Sequence, residues 1–157
     1  MNNTEISREE HYFDSPIRLI KKYYSVTSYP WWSESALKLK RKFINRCVYL
    51  LYNSLTKLYK IGISDDFKRR FESLQCQSGM ELKPILYLEL QAGYDEPANH
   101  IEGFLHKYYK NKHEIGEWYH LEDIDVSEIT ELFYQIYGEC VLEGDDIEMA
   151  ICDKIFT

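Results

Sequence analysis

The 157-residue chain predicts an α+β fold: a small mixed or antiparallel β-sheet, a hairpin plus one or two strands, flanked by helices and carrying helical N- and C-terminal extensions. Three observations lead there. Residues 47–52 and 58–63 are apolar and aromatic runs on either side of the turn-forming pair Asn53-Ser54. A third such run, KPILYLELQA, follows Gly79. Between and after these strands, apolar residues recur at helical spacing behind Asp66 and behind Pro97.

Taken in order, residues 1–32 hold a capping-box pattern, Ser7 with Glu10, then the segment IRLIKKYYSVTSYPWW, in which Pro30 marks a break. Ser33 is a natural N-cap for a short basic helix that sets Ala36, Leu37, Leu39 and Phe43 among lysines. The hairpin comes next. Ser64, Asp65 and Asp66 then cap a helix whose Phe67, Phe71 and Leu74 face the core, with Lys68, Arg69 and Arg70 on or near its open side. Pro84 puts the third strand at an edge or marks its start. Asp95, Glu96 and Pro97 open a second helix with acids and proline in its first turn. There Ile101, Phe104, Leu105 and Tyr108 are the apolar face, while Glu102 and His106, at i and i+4, share another side. Gly116 turns the chain into a short strand, Ser127 caps a third helix ending at Gly138, and residues 139–157 read as a further helix or a docked tail. This divides the chain into a basic, aromatic N-terminal extension (1–46), a central domain (47–125) and an acidic helical C-terminal extension (126–157).

Composition narrows the function classes. A 45% hydrophobic content at this length suits one compact domain with a core. Fourteen Tyr, seven Phe and three Trp supply core volume, and rings that can stack on bases or a partner. No apolar run reaches the roughly 18 residues a membrane span needs. The opening MNNTEISREE lacks the layout of a signal peptide, so a cytoplasmic protein away from membranes is expected. Cys47, Cys76, Cys140 and Cys152 show no C-x-x-C spacing and read as reduced packing residues. The net charge of -7 argues against strong nonspecific binding of nucleic acid. The charge is uneven, however: residues 1–46 hold nine Lys/Arg against five Asp/Glu, and residues 126–157 hold one against eight. Basic surface therefore lies before and beside the hairpin, and the tail repels phosphate.

The run CVY, then KIG, then Arg70 followed by Phe71, then E-x-x-x-H in a helix and finally GEWYHL resembles the GIY-YIG endonuclease superfamily. It is most similar to a short phage-associated branch, the phage T5 open-reading-frame type, in which lysine stands where the second motif tyrosine usually is. The resemblance covers about residues 47–121. It implies a GIY-YIG-like fold, a DNA substrate, Mg2+ or Mn2+ as cofactor, and metal-dependent phosphodiester hydrolysis in a protein of phage or mobile-element origin.

Residue by residue, Tyr49 matches the tyrosine of the first motif, and Cys47 departs from that motif's first glycine. Alignment on Gly62 puts Lys60 at the second tyrosine position. Tyr59, one residue earlier, points to the opposite face because strands alternate. Gly62 permits close approach of backbone or ligand. Arg70 matches the helical arginine, which can fork to two phosphate oxygens as charge develops, and Arg69 is its neighbour. Glu102 matches the metal-binding glutamate, and His106 the histidine that orients the site or contacts phosphate. The resemblance thus makes Tyr49, Lys60, Arg70, Glu102 and His106 catalytic candidates, Glu102 the metal ligand, and Arg69, Gly62 and Tyr59 substrate-binding. His100 and His113 lack the spacing to join His106 in a zinc site. Trp118 and Tyr119 read as core closure. A second reading keeps the fold as a non-catalytic binding module or phage accessory protein that contacts a host protein. The oligomeric state is left open.

Overall fold

The computed structural model describes residues 45–79, 81–91 and 97–152. The expected Ser7 capping box and the basic helix after Ser33 lie outside them. Among the described residues, six strands form one antiparallel sheet: β1 (Asn45–Asn53), β2 (Leu58–Ser64), β3 (Leu82–Gln91), β4 (His113–Ile115), β5 (Trp118–Tyr119) and β6 (Val141–Glu143), in the order β4-β5-β2-β1-β3-β6. Among the described residues, four helices flank it: α1 (Phe67–Ser78), α2 (Pro97–Tyr108), α3 (Asp123–Tyr137) and α4 (Gly144–Cys152). The α+β class is as the sequence predicts. β5 is the short strand expected after Gly116; the sheet exceeds a hairpin plus two strands because β4 and β6 add three residues each, too few to leave a periodic signal.

The hairpin forms for the expected reason. The Asn53 side chain accepts hydrogen bonds from the amides of Leu55 (3.0 Å) and Thr56 (3.3 Å), and Lys57 takes the left-handed conformation that closes the loop. β1 lies between β2 and β3 and is buried on both faces, which is why residues 47–51 are all apolar or aromatic without alternating. On one face, Val48, Leu50, Ile61, Leu86 and Leu88 pack with Ile101 and Leu105 of α2 and Ile129 and Phe133 of α3. On the other, Cys47, Tyr49, Leu51 and Tyr87 pack with Phe67 of α1 and Ile147 of α4. Each fully buried side chain of this size contributes about 1.5–3 kcal/mol relative to exposure. Two independent layers therefore hold the hairpin.

Some local expectations hold and others need correction. Pro84 is as expected near the start of β3, in a stretch paired with β1 alone, since β6 joins β3 only at Leu86–Leu88, and a register shift opposite Leu50/Leu51 absorbs the proline. α3 begins before Ser127: the Glu122 and Asp125 side chains each bond the other's backbone amide, a reciprocal cap that starts the helix at Asp123. Cys47 and Cys140 are buried packing residues, whereas Cys76 is exposed. Burial, reinforced by the facing Glu89 carboxylate, pushes the Cys47 thiol well above its ordinary value, so it is un-ionised and inert at neutral pH. Arg46, the last base of the N-terminal region, turns inward and donates to Asp65 Oδ1 at 2.7 Å and Asn99 Oδ1 at 2.8 Å, tying β1 to α2 and to the residues that lead into α1. No described helix is long and apolar enough to cross a membrane.

Candidate functional site

The site lies where the sheet runs out. β5 pairs with β2 only at Tyr59 and Lys60. Beyond them the backbone of Ile61 is served from elsewhere: its amide donates to the Glu117 carbonyl (3.1 Å), and its carbonyl lies 3.1 Å from His106 Nε2. The two-residue turn between β4 and β5, with Gly116 at φ 56°, and helix α2 therefore converge on one point of the β2 edge.

From the α1 side come Tyr49, Gly62 and Lys60. Tyr49 faces Gly62 across the β1–β2 ladder, and Leu51 faces Lys60, so all of these share a face. The Tyr49 ring crosses directly over Gly62: a Cβ there would sit 2.5 Å from both Tyr49 Cζ and its hydroxyl oxygen. Gly62 is thus required by the ring. The Tyr49 hydroxyl is buried and has no hydrogen-bond partner among the described residues. Burial pushes its pKa up to about 12; the Arg70 guanidinium opposes that shift, close enough to act on the phenol without completing a hydrogen bond, and Glu117 adds to it. Lys60 is only 6% exposed. An unpaired ammonium there would be costly, and Glu117 Oε2 meets it at 2.5 Å while the Trp118 ring lies 5.8 Å away.

From the α2 side come Glu102 and His106. Their i, i+4 spacing brings Glu102 Oε1 to 3.3 Å from His106 Nε2, and His106 Nδ1 meets the Tyr119 hydroxyl. Glu102 Oε2 is buried without a hydrogen-bond partner among the described residues. One ligand atom each from Glu102, His106 and Glu117 lie within 4.8 Å of one another, so two carboxylates and an imidazole meet at the sheet edge. That donor set fits a divalent cation, with the orphaned Glu102 oxygen as a ready ligand. The Tyr119 phenol is raised by burial and then by Glu117 and Glu102, the electrostatic mark of that convergence.

Arg70 completes the cluster from α1. The N-cap Asp66 accepts from the Arg69 amide at 3.2 Å, and the first turn then presents Lys68, Arg69 and Arg70 with no acid among them. Three cations at the positive end of a helix oppose its dipole. A local rule broken in this way marks a surface shaped for something other than stability.

A family model described as the T5orf172 domain matches residues 46–135, more than half of the chain. The chain belongs to the T5orf172 domain family. The family is a phage-type domain associated with nuclease-like functions. The T5orf172 match takes in every residue of the cluster and ends inside α3, before β6 and α4. Searches of curated proteins and of solved structures found no match.

Of the residues singled out in the sequence, the structure gathers Tyr49, Lys60, Gly62, Arg70, Glu102 and His106 in this T5orf172 region. Tyr59 is not among them: it faces Tyr119 across the ladder, on the α2–α3 face, with its ring 4.7 Å from Tyr52. Arg69 is exposed on α1 and His100 on α2. His113 is exposed and bonded through Nε2 to the Gly116 carbonyl at 2.7 Å. Sequence reasoning missed Glu117. Its signal was its place in GEWYHL, one residue before the short strand that carries Trp118 to the side of Lys60.

Because burial holds Tyr49 as a phenol, its contribution to stability is present below the unfolded-state pKa and is lost as pH rises towards about 12. A spectrophotometric titration, wild type minus Tyr49→Phe, is expected to show Tyr49 un-ionised at about pH 10, where a free tyrosine is half ionised. Ionisation at the free value would contradict the buried placement.

Proposed function

We propose that the protein is a metal-dependent DNA endonuclease of the GIY-YIG type, from a phage or mobile element and acting in the cytoplasm. The observation that carries this reading is the convergence of Tyr49, Lys60, Arg70, Glu102, His106 and Glu117 at one edge of the sheet. The Tyr49 hydroxyl, held as a phenol by burial and without a hydrogen-bond partner among the described residues, orients the attacking water, whose proton passes to solvent, while the Lys60 ammonium is placed to pair with a phosphate oxygen. Arg70 steadies the charge that develops on the phosphate oxygens. His106, braced by the Tyr119 hydroxyl, positions Glu102. Glu102 would hold Mg2+ or Mn2+, which when bound supplies Lewis-acid stabilisation to the phosphate. Arg69 and Lys68 extend the basic face of α1 along a duplex backbone.

The test is incubation of purified protein with supercoiled plasmid and with branched DNA, in Mg2+ or in Mn2+. Nicking that appears with the ion and is abolished by EDTA is the expected result; no cleavage of any substrate with either ion sinks the reading. The acidic face, where Glu143, Asp145 and Asp146 line an open cleft beside Ile85, favours a second reading, a module that binds a basic host protein. A complex with a host protein that survives Arg70→Ala and Glu102→Ala, with no nicking, would support that one.

A further inference from the structure

Glu117 has two claims on it. Its Oε2 neutralises the buried Lys60 ammonium at 2.5 Å, and a ligand atom of the same carboxylate lies within 4.8 Å of ligand atoms of both Glu102 and His106. The two roles compete for one negative charge. Lys60 is the fixed member of the pair, with a side chain 7% exposed and Trp118 beside its ammonium, whereas the Glu117 side chain is 39% exposed and free on its solvent side to turn. Glu102 Oε2 is buried without a hydrogen-bond partner among the described residues, and Oε1 of the same carboxylate lies 3.3 Å from His106 Nε2.

We propose that Glu117 is an exchangeable carboxylate: counter-ion to Lys60 in the metal-free protein, and third ligand, with Glu102 and His106, to a divalent cation of the Mn2+ class. Loading the cation draws Glu117 from Lys60 and exposes the ammonium to a phosphodiester oxygen. The metal and the phosphate are therefore taken up together, and neither half of the site is complete alone. This deepens the endonuclease reading and rests on it only for the identity of the phosphodiester.

The chemistry of the donor set gives the selectivity. Mg2+ favours oxygen ligands and keeps its waters, whereas an imidazole suits first-row transition ions. His106 Nε2 faces the Ile61 carbonyl at 3.1 Å, so for it to bind the cation the ring must release that contact and carry its proton on Nδ1, where the Tyr119 hydroxyl is placed to accept it. Tyr119 is in this sense a positioning residue, since it fixes the tautomer through which His106 acts.

Calorimetric titration of Mn2+ and of Mg2+ into the EDTA-treated full chain, without DNA, tests the exchange. Wild type is expected to bind Mn2+ at least about tenfold more tightly than Mg2+. His106→Asn should erase that preference, and Glu117→Gln should weaken Mn2+ binding by about 10–100-fold. The deciding variant is Lys60→Met, which keeps the shape of the side chain and removes the competitor: Mn2+ binding should tighten. Unchanged or weaker binding in Lys60→Met, with cooperative melting retained, overturns the exchange. Should Lys60→Met fail to melt cooperatively, Lys60→Gln is read the same way. A second readout uses a short DNA duplex carrying non-cleavable phosphorothioate linkages: Mn2+ should tighten its binding to wild type and do so much less for Glu117→Gln. Equal enhancement in the two would also overturn the proposal. The predicted ion-binding pattern in a protein that never nicks DNA would count against the endonuclease and leave the exchange standing. Nicking without the pattern would do the reverse.

Discussion

Replacing Arg70 by alanine is expected to slow metal-dependent DNA cleavage by about 10²–10³-fold, the usual effect of removing one preorganised donor from developing charge. The fold should not suffer. Arg70 is exposed on the first turn of α1, where a cation opposes the helix dipole, and alanine is the better helix former. Arg70→Lys should recover only part of the rate, because a point charge cannot fork to two phosphate oxygens. Single-turnover nicking, read beside thermal melting, separates the two effects. A variant that cuts at the wild-type rate would remove Arg70 from the site; one that melts far below wild type would show a structural role.

The second large effect is expected from Gly62→Ala. The added Cβ meets the Tyr49 ring end at 2.5 Å, and the ring cannot simply swing away, since it is 1% exposed and packs against Phe67 with centroids 5.3 Å apart. Overpacking of this kind costs about 1–3 kcal/mol. Displacing a positioned hydroxyl by an ångström should cost cleavage about another 10²-fold. The double variant Gly62→Ala with Tyr49→Leu should regain stability in urea denaturation while cleavage stays low. Recovery of both would mean that Tyr49 is a packing residue alone.

What the sequence made legible follows from the range of the physics involved. The hairpin was readable because its turn, its apolar runs and the alternation of its side chains are all local, and the pairing of Tyr49 with Gly62 places Lys60 on the tyrosine's face and Tyr59 on the opposite one. The i, i+4 pair on α2 was readable for the same reason. Glu117 was not, because a glutamate beside a turn looks solvated until Lys60, 57 residues earlier, and Glu102 are seen beside it. β6 escaped because three residues carry no period, although they cap the far edge of the sheet against β3. The start of α3 was misplaced because glutamate is a weak cap in isolation, and the bond that Asp125 returns to Glu122 is what sets the boundary.

The two packed layers of the sheet have a consequence for how such a domain can change over time. Tyr49, Lys60 and Gly62 are anchored in one layer, Glu102 and His106 in the other, and they meet only at the rim, through the backbone of Ile61 and the Glu117 turn. A substitution that removes a site residue from one layer therefore leaves the side chains anchored in the other in place. A lineage can lose the side chains anchored in one layer and keep a folded scaffold, open to being recruited for another task.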